Sequence, residues 1–171
     1  MGHYLVYVIT PGEPDDQGNE LERALAPFNE CAPNCKAPKW DWYQLGGRWT
    51  GVLDKEYDPN KDPKHQAPCE LCNSTGIRKD KFVDGPCNGC NGTGTKTLWP
   101  TSWQSHGSDQ MQVGQLKTIW EKDLCPYAIL LDEEWREQDF TREINDWVNH
   151  VDSIIPTIPD HYWVSVVDCH S

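Results

Sequence analysis

Four of the eight cysteines stand in two pairs, Cys69-Glu70-Leu71-Cys72 and Cys87-Asn88-Gly89-Cys90, with fourteen residues between them. Each Cys-x-x-Cys puts two thiolates on one tight turn. Two such turns brought together supply the tetrahedral four-sulfur set that Zn²⁺ takes at about 2.3 Å. Glycines lie within or just after the pairs (Gly76; Gly89, Gly92, Gly94), where left-handed backbone lets amides point at sulfur. The competing explanations are two local disulfides or a redox pair. A redox pair opens a helix, and the Asn, Gly and Thr around these cysteines disfavour one. The spacing therefore predicts one structural Zn²⁺ per chain, held by Cys69, Cys72, Cys87 and Cys90.

The other chemistry-bearing residues are less ordered in sequence. Cys31, Cys35, Cys125 and Cys169 have no ligand-pair spacing. If the first and last strands are neighbours, His3 would meet Asp168 and His170, and a second metal site could form there. No H-E-x-x-H, H-x-E or paired-carboxylate motif supplies an open catalytic site, and no strand–helix glycine loop is present. No catalytic residue is assigned. Trp40-Asp41-Trp42 and Gly46-Gly47-Arg48-Trp49 admit two explanations. Trp42 and Arg48 could form a recognition patch. Otherwise the tryptophans are core and Asp41 pairs with Arg48 across strands. A chain with so few aliphatics favours the second.

Two resemblances attach to these motifs. Cys87-Asn88-Gly89-Cys90-Asn91-Gly92-Thr93-Gly94 resembles the C-x-x-C-x-G-x-G repeat of DnaJ-type chaperones, and Cys69–Gly76 is a second copy with Ser74 in place of the first glycine. That family has four repeats and two zinc sites. Two repeats imply one site, and without a His-Pro-Asp signature they imply the metal fold but not chaperone activity. Separately, Trp40–Trp49, Pro126-Tyr127-Ala128-Ile129 and the terminal Val166-Val167-Asp168-Cys169-His170 resemble a group of uncharacterised actinobacterial and actinophage proteins with zinc-knuckle-like inserts. This resemblance implies a phage or mobile-element origin and assigns no activity.

The elements that must position these residues follow from pattern and punctuation. His3–Thr10 is a β-branched and aromatic strand ended by Pro11-Gly12-Glu13-Pro14. Asn19 caps a helix over residues 20–26, and Trp40–Tyr43 with Arg48–Leu53 reads as a hairpin about Gly46-Gly47. Tyr127–Leu131 turns at Asp132-Glu133 into a strand through Trp135. Thr141 caps a helix to about residue 150 with Ile144, Trp147, Val148 and Val151 on one face, and Tyr162–Val167 is the last strand. Residues 1–60 and 99–171 then form an α+β body, expected to be a ferredoxin-like antiparallel sheet with helices on one face. Residues 61–98 are an inserted zinc-knuckle hairpin, poor in large apolar groups and ordered by the metal.

Charge and composition limit the function classes. The 171 residues have a mean hydropathy of −0.74 and a net charge of −12. Residues 61–98 carry six basic and four acidic side chains, so the remainder carries −14. Such a surface repels nucleic-acid backbones, and direct nucleic-acid binding is not expected outside the insert. No apolar run spans a membrane and the first residues lack a basic leader, so a cytoplasmic protein is expected. The expectation is a non-enzymatic, zinc-stabilised acidic protein that docks onto a protein with a basic surface, inhibition of a host nucleic-acid-binding or defence enzyme being one such role. Glu133, Glu134, Glu137, Glu143 and Asp146, in a C-terminal stretch of net charge −9, are the candidate contacts, with Trp42 and Arg48 as a second surface. A small metal enzyme at His3, Asp168 and His170, or a zinc-knuckle nucleic-acid binder, are the alternatives.

Overall fold

The computed structural model describes residues 2–12, 19–80 and 82–171. Glu13 and Pro14 of the turn after the first strand, the capping side chain of Asn19, and Lys81 of the basic segment lie outside the described residues. The elements run β1 (His3–Thr10), α1 (Asn19–Leu25), β2 (Trp42–Leu45), β3 (Gln66–Pro68), β4 (Thr95–Thr97), β5 (Gln110–Gln112), α2 (Val113–Ile119), β6 (Ala128–Leu131), β7 (Glu134–Glu137), α3 (Ile144–Ile154) and β8 (Trp163–His170). The chain divides into two compact units, Met1–Tyr57 with Ser105–Ser171, and Asp58–Gln104. Among the described residues no helix is long and apolar enough to cross a membrane.

The larger unit is α+β, with a mostly antiparallel sheet in the order β2-β8-β1-β6-β7 and β5 also on β8. Its central pair, β1 and β6, is parallel, in the register Val6↔Ala128 to Ile9↔Leu131. Both faces of β1 are buried from Leu5 to Thr10. Leu5, Tyr7 and Ile9 enter one core with Val113 and Leu116 of α2 and Trp147, Val151 and Ile154 of α3. Val6 and Val8 enter a second with Leu21 and Leu25 of α1, Phe28 and Trp40. The expected ferredoxin-like sheet, antiparallel throughout with helices on one face, is thus corrected to a mixed sheet with helices on both. The unbroken apolar runs of β1 and β6 require it, because a strand with one solvated face alternates.

Three local expectations also change. Residues 48–53 form no second hairpin strand. Gly46 still donates to Val166 O (2.8 Å), but 47–49 then coil into a 3-10 turn with Trp49 N–H to Gly46 O (3.0 Å). Two buried carboxylates take the Arg48 N–H (Asp168, 3.0 Å) and the Gly51 N–H (Asp109, 2.6 Å), and the Trp49, Thr50 and Val52 amides close local turns instead of pairing in a ladder. Thr141 does not cap α3, whose N-cap is Glu143. Both the N–H and the hydroxyl of Thr141 go to the Asp139 carboxylate (2.9 and 2.7 Å). Ile144, on the first turn of α3, is exposed, and the buried stripe is Trp147, Val151 and Ile154.

In the smaller unit β3 and β4 pair antiparallel, Gln66↔Thr97 to Pro68↔Thr95, with both cysteine pairs between them. Its hydrophobic cluster consists of Cys69, Cys72, Cys87 and Cys90. Leu71, Ile77, Phe82 and Trp99 are exposed, the last two at 81% each. His65 stacks on Trp103, centroids 5.0 Å apart and planes within 7°, and its ring nitrogens are held by Pro59 O and Gln104 O.

Candidate metal centre

The two cysteine segments are copies of one turn offset by eighteen residues, and their backbones bond alike. Ser74 N–H and Gly92 N–H reach the carbonyls of Cys69 and Cys87 (3.0 and 3.1 Å). The Thr75 and Thr93 hydroxyls reach those of Cys72 and Cys90 (2.6 and 2.7 Å). The copies then exchange bonds: Cys69 N–H donates to Gly94 O (2.9 Å) and Cys87 N–H to Gly76 O (2.7 Å). This reciprocity is an approximate two-fold, and it aims both thiol pairs at one point. Asn73, Ser74 and Gly76 in one copy, and Asn91, Gly92 and Gly94 in the other, occupy left-handed backbone. Ser74 holds there the conformation that Gly92 holds in its copy.

All four sulfurs are buried and lie within 4.8 Å of one another. Cys69 and Cys87 Sγ are 3.9 Å apart, Cys72 and Cys90 Sγ 3.7 Å. A tetrahedron of thiolates about 2.3 Å from a central Zn²⁺ has edges of about 3.8 Å, whereas a disulfide has about 2.05 Å. The set therefore has the spacing of ligands around an ion. Burial pushes the Cys69 thiol up to about 11, with the Cys72 thiol adding to it. Burial acts upward on Cys90 too, but the Gly94 N–H (3.2 Å from Sγ) and the neighbouring thiols bring it down to about 6. Four sulfurs crowded without counter-charge are costly to ionise together, and a divalent cation removes that cost. The four cysteines could hold a metal ion such as zinc.

In the larger unit His3, His170 and Trp42 form one row across β1, β8 and β2, in the register His3↔His170↔Trp42. Asp168 is fully buried and joins His3 Nδ1 at 2.8 Å; Asp41 joins His170 Nδ1 at 2.8 Å rather than pairing with Arg48. His3, Asp168 and His170 are thus brought together. The remaining cysteines are not. Cys169 faces the α1 core and Cys125 the α3 core, and burial raises both thiols, Cys125 to about 11. Cys31 is exposed, and Cys35 joins no cluster of ligands among the described residues. Of the tryptophans in the WDW…GGRW stretch, Trp40 is buried, Trp49 half-buried and Trp42 exposed. Arg48 is exposed.

Asp109, a residue that no motif marked, is the second carboxylate holding the Gly46–Gly51 turn. Fully buried, it accepts from Thr50 Oγ1 (2.5 Å), Gly51 N–H (2.6 Å) and His106 N–H (2.7 Å). Burial pushes its carboxyl above the usual range, and those three bonds only partly offset it. Folded Asp109 therefore keeps its proton to higher pH than unfolded Asp109. The folded state binds more protons in that window, so stability falls as pH rises from about 3.9 through the raised value. The stability of the wild type relative to Asp109→Asn should be greatest below pH 4 and decline above it. Denaturant titrations of both proteins across pH 3 to 7 check this, and a pH-independent difference would refute it.

Of the acidic residues expected to meet a partner, three are already engaged. Glu133 pairs with Lys36 (3.5 Å), Glu134 with Arg136, and Glu137 with Lys39 (2.7 Å) and Trp135 Nε1 (2.8 Å). Glu143 and Asp146 are exposed and line a shallow groove of about 400 Å³ with Asp139, Arg142 and His150. Compared with known proteins, the chain matches no family model, no curated protein and no solved structure.

Proposed function

We propose that the chain is a binding protein that docks onto a basic protein surface through residues 139–146, and that a structural Zn²⁺ on Cys69, Cys72, Cys87 and Cys90 orders its smaller unit. The observation that carries this reading is the composition of that segment: Phe140 (77% exposed) and Ile144 (57% exposed) stand beside the exposed Glu143 and Asp146, while Asp139 is paired with Arg142 (3.4 Å). Exposed apolar side chains supply the anchor of an interface, and surrounding charge supplies the steering. The larger unit has 9 basic and 22 acidic side chains, a net −13, so a basic partner is drawn to it over a distance.

The smaller unit fits nucleic acid less well. Its six basic and five acidic side chains give +1, and four thiolates around a dication add −2. A surface close to neutral gains little from releasing DNA counterions. Exposed Trp99 and Phe82 remain available there for apolar contact.

The test is a photo-crosslinking side chain placed at Ile144 in one protein and at Lys96 in another, each exposed to host lysate. A crosslink from position 144 to a basic protein, weakened by salt and by Glu143→Lys with Asp146→Lys, is the expected result. The charge reversal should slow association roughly tenfold or more. A crosslink from Lys96 alone that persists through the reversal would overturn the assignment. So would a salt-dependent gel shift with nucleic acid that Trp99→Ala abolishes.

A further inference from the structure

His3 and His170 face each other on paired strands, and each ring is held by a carboxylate through Nδ1, by Asp168 and Asp41 respectively. Among the described residues neither Nε2 has a hydrogen-bond partner. A carboxylate on Nδ1 orients the ring and leaves Nε2 as the nitrogen that faces a metal, the arrangement common behind metal-ligating histidines. The ring centroids are 5.1 Å apart at an interplanar angle of 63°. Two imidazoles bound to one tetrahedral ion at about 2.1 Å each, with ring centres about 1.1 Å beyond the nitrogens, would have centroids about 5.2 Å apart. The pair is half-buried, and Trp42 packs edge-on against His3 at 5.7 Å. Asp168 and Asp41 behind the two rings place acidic groups where a bound dication would be favoured.

We propose that His3 and His170 bind a second divalent transition metal through Nε2, with Asp168 and Asp41 as positioning residues. Imidazole selects the zinc, nickel and copper class over calcium or magnesium. Two protein ligands leave coordination positions open to water or to a group from a bound molecule, so this site exchanges its ion, unlike a closed four-sulfur site. The geometry is independent of the docking reading, because it involves neither residues 139–146 nor the cysteines.

The experiment uses the full chain with its cysteine site loaded, titrated with Zn²⁺ alone. Calorimetry should show one further equivalent, and ¹⁵N spectra should show the Nε2 signals of both histidines shifting with it. His170→Gln should abolish the second equivalent while leaving the first, and Asp41→Asn should weaken it roughly 10-fold. His3→Gln is the matching variant, and if it fails to fold, the more exposed His170 carries the test alone. No further uptake in excess zinc would overturn the proposal. So would a second equivalent unchanged in His170→Gln.

Discussion

Cys87→Ser should unfold the segment from β3 to β4 and leave the larger unit folded. The reason is how little else holds the segment. Its hydrophobic cluster is the four cysteines themselves, and Leu71, Ile77, Phe82 and Trp99 face solvent. A closed four-thiolate zinc site is worth about 10–16 kcal/mol at neutral pH, as much as the whole stability of an ordinary domain. Losing one ligand also breaks the reciprocal bonds Cys69 N–H to Gly94 O and Cys87 N–H to Gly76 O, since they depend on the two turns meeting. Both large cores draw every member from residues 1–57 and 105–171. Amide exchange should therefore show protection lost over residues 66–97 and retained in β1, β6 and β8. A strong chelator should do the same to the wild type. If residues 66–97 stay protected without metal, or disulfides map within both pairs, the four-sulfur site is not what orders them.

The cysteine cluster was legible because its signal is local. Ligand spacing, turn glycines and the repeated motif all lie within 26 residues, and no long-range pairing is needed to interpret them. The larger unit depended on information of another kind. The runs LVYVI in β1 and AILL in β6 mark the strands, but the expected sheet with helices on one face left out what their lack of alternation means, cover on both faces. Which neighbours a strand takes is not written in its own residues. The parallel β1–β6 pair emerges only when a crossover is placed, and β8 runs three residues past the expected Val167 because His170 continues the ladder opposite His3.

The convergence of His3 with Asp168 and His170 was inferred from strand adjacency, and the register brings it about. Asp109 gave no comparable signal. A lone aspartate between Ser108 and Gln110 looks like any loop acid, and only the fold buries it beneath Thr50, Gly51 and His106. The Gly46-Gly47 pair misled for a related reason. Two glycines between apolar residues are the usual mark of a two-residue hairpin. Here they let the backbone pass close to two buried carboxylates, and side-chain acceptors sixty and one hundred and twenty residues away replace the ladder.

Gly47→Ala should accordingly cost the larger unit about 3 kcal/mol, roughly 10 °C in its unfolding midpoint. Gly47 has φ +52°, where a Cβ is disfavoured by about 1–2 kcal/mol. An added Cβ would also lie 2.5 Å from Asp168 Cβ and 2.6 Å from its Oδ2. Asp168 cannot withdraw, because β8 is paired on both sides there, with Leu5 of β1 and Gln44 of β2. The turn must lift instead, which stretches the 3.0 Å bond from Arg48 N–H and exposes the carboxylate that orients His3. Gly12→Ala is the control, since a Cβ there meets nothing within 4 Å, and its effect should stay within about 0.5 kcal/mol. Denaturant unfolding of the three proteins separates the contributions. Equal midpoints for the two variants would mean that the turn yields without cost. A loss in Gly47→Ala accompanied by weaker uptake of the second metal would tie the turn to the His3 and His170 pair through Asp168.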